Sequence, residues 1–291
     1  MTLRDHIYEL RHRLGLALLF IMIGGVFGFI WFQTRIGPIK PLGELLTGPY
    51  CALPKASRLQ IGEKCQLLQT QPFEAFLIQF KVGVAAGMCL TAPLWLYQVW
   101  AFITPGLYAR ERKFAMYFVV FASMLFIAGA VLAYFVVPQG LKVLISFGGD
   151  QFITALAADK YVSFVLVLLL IFGVSFELPL VIVMLNLVGI LPYANLKRWR
   201  RGITFTLFVF AAFATPGTDP VSMVALGAAM VVLFELAVQI SRIHDGRKAK
   251  RLAAEDAVEL DPDQPSPLDH TPDPVEPGAP SDARAGWDDV T

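Results

Sequence analysis

Charge is what this chain has least of. Asp, Glu, Lys and Arg make up 16% of its 291 residues, and apolar residues make up 56%. Soluble domains carry nearer a quarter charged residues. The shortage is concentrated. No Asp, Glu, Lys, Arg or His occurs from Leu14 to Phe32, from Val82 to Ile103, or from Phe114 to Val137. Each stretch is long enough to cross ~30 Å of hydrocarbon at ~1.5 Å rise per residue. A core helix of a soluble domain would show a polar stripe over such a length, and these do not.

Other absences narrow the function. Three cysteines are too few for a disulfide scaffold. There is no phosphate-cradling glycine loop, no metal-ligand spacing and no nucleophile–base motif, so neither an enzyme nor a cofactor is expected. No internal repeat is visible, which weighs against an inverted-repeat transporter. The first apolar run lacks a small-residue cleavage pattern and is followed by many more, so it reads as a span and not as a cleaved signal peptide. The net charge of +1 says little, because a basic membrane part and an acidic tail cancel.

What is present reads as an all-α polytopic membrane protein with six transmembrane helices. The expected spans are Leu14–Phe32, Phe73–Val99, Phe114–Val137 and Tyr161–Ile190, then two short segments, Gly202–Ala214 and Val221–Ile240. Between the first two lies a Gly- and Pro-rich loop, 33–72, and Pro138 opens a second polar loop to Lys160. The turn from Thr215 to Pro220 holds two prolines and a glycine, which is strong helix-stop chemistry. Fourteen helical residues reach only ~21 Å, so a thinned or recessed bilayer is expected at spans five and six.

Orientation follows from Lys and Arg. Fifteen of them fall in one alternating set of segments, at the N-terminus, around 110–113, around 197–201 and at 242–251. Seven fall in the opposite set, over a longer total length. The first set is therefore placed in the cytoplasm, with both termini inside. From Leu252 onward there are eleven acidic residues, one arginine and many prolines, so the domain division is 1–243 for the membrane part and 244–291 for a disordered acidic tail. The tail is either a solvated extension or a partner-binding segment.

Several residues invite a functional reading. At the N-terminus Asp5, Glu9 and Arg13 share one helix face. Glu9 either pairs with Arg13, worth ~0.3–0.5 kcal/mol, or faces a cationic ligand. Glu111 sits inside the basic run Arg110–Lys113, where a local ion pair is the plain alternative. Glu177 is an acid within a span, two residues before Pro179. Such groups are costly and face a cavity or a partner; Glu177 is either neutral and hydrogen-bonded or part of a water-accessible patch. Lys81 is expected to snorkel to the outer interface. Cys51 and Cys65 share the first outer loop, where a disulfide is permitted but not required by the sequence. Cys89 reads as a packing residue.

The run His6-x-x-Glu9-Leu10-Arg11-x-Arg13-Leu14 resembles the N-terminal signature of the TatC family, the multispanning component of the twin-arginine protein translocase. So does Pro93-x-x-x-Tyr97-Gln98-x-Trp100-Ala101-Phe102-x-x-Pro105-Gly106-Leu107, followed by Glu111-Arg112. Further matches are Phe172 to Pro179, Thr215-Pro216 with Asp219, and Phe234-Glu235. The resemblance covers residues 1 to about 243 and leaves out the acidic tail. It implies recognition of signal peptides bearing two consecutive arginines, and export of folded proteins with TatA- and TatB-type single-span partners, driven by the proton-motive force across the bacterial cytoplasmic membrane. Membership of a larger complex, with a homo-oligomer in it, is implied as well.

By resemblance, Glu9, Arg11, Phe102, Glu111 and Arg112 form the signal-peptide site. The chemistry fits, since a guanidinium is best held by a carboxylate that accepts its bidentate fork. Arg11 would hold the acidic loop groups in position, and Phe102 would pack beside the arginine pair. Thr215, Asp219 and Met223 would lie where partner helices contact the fifth and sixth spans. Many relatives carry a glutamine where this chain has Met223, so apolar packing would replace a hydrogen bond there. An ion-coupled transporter and a membrane-protein insertase are the competing readings.

Overall fold

The computed structural model describes residues 3–53, 65–103, 112–147, 156–216 and 219–259. Every regular element among the described residues is a helix, with two isolated bridges in the connections and no strand. The elements are α1 (Leu3–Trp31), α2 (Leu42–Cys51), α3 (Glu74–Leu90), α4 (Ala92–Ile103), α5 (Arg112–Ser146), α6 (Ala158–Ser175), α7 (Glu177–Leu187), α8 (Tyr193–Ala214) and α9 (Pro220–Glu259). The chain divides into two compact units, Met1–Asp245 and Gly246–Thr291. Of the second, residues 246–259 are described, and they are helical.

Four stretches are long and apolar enough to cross a membrane: His6–Trp31, Met116–Ser146, Ala158–Leu187 and Pro220–Ala254. A fifth is the pair α3 and α4, bent by 66°. α8 does not reach this standard, because its first half carries Lys197, Arg198, Arg200 and Arg201. Many apolar side chains point outward, including Phe205, Phe213, Val224 and Val232, as a lipid solvent permits.

Prolines decide where helices break, and the structure corrects the sequence reading at two of them, Pro93 and Pro138. The second span is not one straight helix over 73–99. It breaks at Thr91, because Pro93 has no N–H and its ring would meet the carbonyl of Cys89. Pro179 does the same to the carbonyl of Ser175, where α6 ends. Pro138 does not end its helix; α5 runs through it to Ser146. The freed carbonyl is tolerated in a packed membrane helix. The sixth apolar segment is also not a short helix, since α9 is 40 residues long. Its continuation past Leu252 to Glu259 overrides the expectation of disorder there. Lys248, Ala249, Lys250, Arg251, Leu252, Ala253 and Ala254 are all strong helix formers.

Glycine sets the closest helix contact. α1 carries Gly24 and Gly28, and α3 carries Gly83 and Gly87, each pair four apart. A Cβ on Gly28 would sit 2.6 Å from the Gly83 carbonyl oxygen, and one on Gly87 would overlap the backbone at Gly25. Backbones this close gain dispersion that larger residues would forbid.

The opposite end from Glu9, called here the cap end, is built from both loops. The first holds α2, whose Leu46 and Tyr50 are buried. Tyr134 and Tyr161 donate to the carbonyls of Leu45 and Leu46, both at 2.8 Å. Ala158 N donates to Leu68 O at 2.8 Å, joining the first loop to the start of α6. A disulfide joins Cys51 to Cys65.

Candidate functional site

At the amino-terminal end, α1 and α4 come together through aromatic contact. The His6 imidazole stacks on Phe102, with centroids 4.7 Å apart and planes 25° from parallel. His6 and Glu9 lie three apart on α1, so they share a face. Glu9 is half-buried and pairs with Arg13, whose Nε and Nη2 donate to Oε1 at 2.9 and 2.6 Å. Both bonds fall on one oxygen; Glu9 Oε2 has no partner among the described residues.

Arg11 does not hold Glu9. Its guanidinium lies over the Tyr8 ring, 5.6 Å from the centroid, and the positioning of Glu9 falls to Arg13. The sequence contained this alternative in the i, i+4 spacing. Glu111 lies outside the described residues, as does the side chain of Arg112, whose backbone begins α5.

Glu177 opens α7 immediately after the break at Phe176. Both of its carboxylate oxygens are buried, and neither has a hydrogen-bond partner among the described residues. The break explains how an acid enters a span. It starts a new helix there, and Pro179 supplies no N–H that the missing ladder would have used.

The turn before α9 faces inward. Asp219 is fully buried and caps α9, accepting from Val221 N at 3.0 Å, from Ser222 N at 3.2 Å and from the Ser222 hydroxyl. It packs on Gly140 of α5, where any Cβ would overlap its carboxylate. Thr215 is buried too, and its hydroxyl donates back to Ala211 O at 3.0 Å. Met223 is half-buried against the core. The outward groups here are Phe213, 87% exposed, and Val224.

Four polar connections were not foreseen from sequence. Glu74, buried at the start of α3, accepts from Thr70 N, Thr70 Oγ1 and Gln71 N through Oε2, and from Asp159 N at 2.7 Å through Oε1. Lys81 pairs with Asp159 at 2.6 Å and donates to Ser163 at 3.1 Å, so it bridges α3 to α6. Asp245 accepts from Tyr193 N at 2.8 Å and from Asn186 Nδ2, which ties α9 to the start of α8. Arg200 on α8 meets Glu235 on α9 in a two-pronged pair, at 2.6 and 2.5 Å. Apart from the Thr70 and Gln71 contacts of Glu74, these partners lie 35 to 85 residues apart and leave no local pattern to read.

Residues 5–228 match the family described as Sec-independent protein translocase protein (TatC). A TatC protein of Corynebacterium kroppenstedtii is 44% identical over 284 residues, covering 94% of this chain and 68% of that one. One of Frankia casuarinae is 42% identical, covering 96% and 76%. A crystal structure of the twin arginine translocase receptor TatC in DDM superposes with a TM-score of 0.66 at 29% identity, covering 81% of this chain and 99% of that one. The quoted motifs, the helical architecture and these likenesses agree, and the chain belongs to the TatC family.

Proposed function

We propose that this chain is the receptor of the twin-arginine translocase, taking up signal peptides through Glu9, Phe102, Glu111 and Arg112 at its amino-terminal end. As a TatC protein it is a non-enzymatic, multipass membrane component of the Tat system. The observation that carries the receptor reading is the geometry of Glu9. One carboxylate oxygen is held by Arg13 and the other is unpartnered among the described residues, about one helical turn from His6 and its stack on Phe102. An acceptor fixed on one side and open on the other suits an incoming guanidinium, with the ring of Phe102 as an apolar neighbour. A second carboxylate from Glu111 would serve the second arginine.

In this reading the chain crosses the bacterial cytoplasmic membrane six times with both ends inside, α8 being the remaining span. Its basic first half would sit in the inner interface and only residues 202–214 would cross, so the bilayer beside it is thinned. Single-span partners of the TatA and TatB type would pack on the outward side of the turn, at Phe213 and Val224, with Met223 at the edge. Thr215 and Asp219 would then shape that surface without touching the partner. Folded cargo would move at the expense of the proton-motive force.

The test is a photo-cross-linking titration of the reconstituted chain with signal peptides carrying Arg-Arg or Lys-Lys. Lysine loses the fork that matches a carboxylate. The expected result is at least tenfold weaker binding of the Lys-Lys peptide; equal affinity would sink the receptor reading.

A further inference from the structure

A groove of about 550 Å³ runs from the cap end along α3, with Trp31 and Leu46 at one end and Phe126 and Leu170 on its far wall. Its lining is apolar apart from Lys81 and the indole Nε1 of Trp31, a buried donor with no partner among the described residues. The Lys81 side chain is 42% exposed. An ammonium has three donors. Asp159 and Ser163 take two, and the third has no acceptor among the described residues. In hydrocarbon such a donor is costly unless something supplies an oxygen.

The size and the charge select the occupant. One turn of helix, ~5.4 Å long and ~10–12 Å across, fills ~420–610 Å³, so the groove encloses about one turn of a helix. A spanning helix also keeps its carbonyls for itself and offers the ammonium nothing. A hydrocarbon chain is thin enough to enter lengthwise. Within the hydrogen-bonded network of Glu74, Asp159 and Lys81, two carboxylates accompany one ammonium, which disfavours a phosphate and favours a neutral oxygen. We propose that this groove holds an acyl chain of a cap-side glycerolipid, with its ester carbonyl accepting from Lys81.

The inference is independent of the receptor reading. The full chain in detergent is titrated by native mass spectrometry with dipalmitoyl phosphatidylcholine, and separately with its di-O-hexadecyl ether analogue, which has the same headgroup and chains but no carbonyls. Wild type should retain the ester lipid about tenfold more tightly, the worth of one hydrogen bond to a charged group. Lys81→Met should erase that preference and leave ether-lipid retention unchanged. Ala85→Trp, which fills the groove, should weaken both lipids. Equal retention of the two lipids by wild type overturns the proposal. So does unchanged retention in Ala85→Trp, or an effect of either variant confined to co-purification of a single-span partner protein, which would assign the groove to a helix. Should Ala85→Trp fail to fold, the ester-against-ether comparison in wild type and Lys81→Met still decides.

Discussion

The Glu9 carboxylate is held by Arg13 through a single oxygen, with both guanidinium contacts, 2.9 and 2.6 Å, falling on Oε1. Holding and availability are thus divided between the two oxygens of one side chain. A salt bridge that used both oxygens would have closed the site.

This division gives unequal expectations for its two partners. Glu9→Gln keeps the shape and removes the charge, and a hydrogen bond between charged groups contributes ~1.5–3 kcal/mol. Affinity for an Arg-Arg signal peptide should fall by about ten- to a hundredfold. Arg13→Ala keeps the carboxylate and its charge and removes only what positions it, so the loss should be smaller, less than about fivefold. Fluorescence anisotropy with a labelled peptide measures both; loss in Arg13→Ala equal to that in Glu9→Gln would mean that the pair is structural only.

Both carboxylate oxygens of Glu177 are buried and have no partner among the described residues, and a stranded polar group costs ~1–3 kcal/mol. Glu177→Leu, of similar bulk, should raise the melting temperature in detergent by several degrees, while Glu177→Gln, still stranded, should not. If the acid serves transport, the stabilised variant exports less cargo, the usual exchange of function for stability. A Glu177→Leu protein that melts lower than wild type would contradict the stranded carboxylate.

The α1–α3 crossing discriminates between adjacent glycines. A Cβ on Gly25 would meet nothing nearer than 3.6 Å, an ordinary contact. One on Gly87 would overlap the backbone of α1. Gly87→Ala should cost ~1–3 kcal/mol by overpacking, and Gly25→Ala less than ~0.5. Thermal melts of the two variants side by side check this.

The Cys51–Cys65 bond ties the end of α2 to the segment that pairs with the start of α6. Closing a loop of this length contributes ~3 kcal/mol by chain entropy. Alkylation without reductant should leave these two residues unmodified, and reduction first should add two adducts and lower the melting temperature. Two adducts without reduction would show free thiols.

The sequence by itself determined that the chain is helical and lives in a membrane, because long uncharged runs admit no other solvent. Its local chemistry also placed the turn after α8, the break beside Glu177 and the pairing available to Glu9. Three-dimensional packing decided the rest. Whether a proline ends a helix depends on what satisfies the carbonyl it frees, so Pro93 and Pro179 break theirs and Pro138 does not. Whether a turn residue faces out depends on its neighbours across the fold, and Gly140, 79 residues away, leaves the space that takes Asp219 inward. The same holds for Lys81, whose partner Asp159 is on another helix. These are encounters between distant residues, and no periodicity along one helix encodes them.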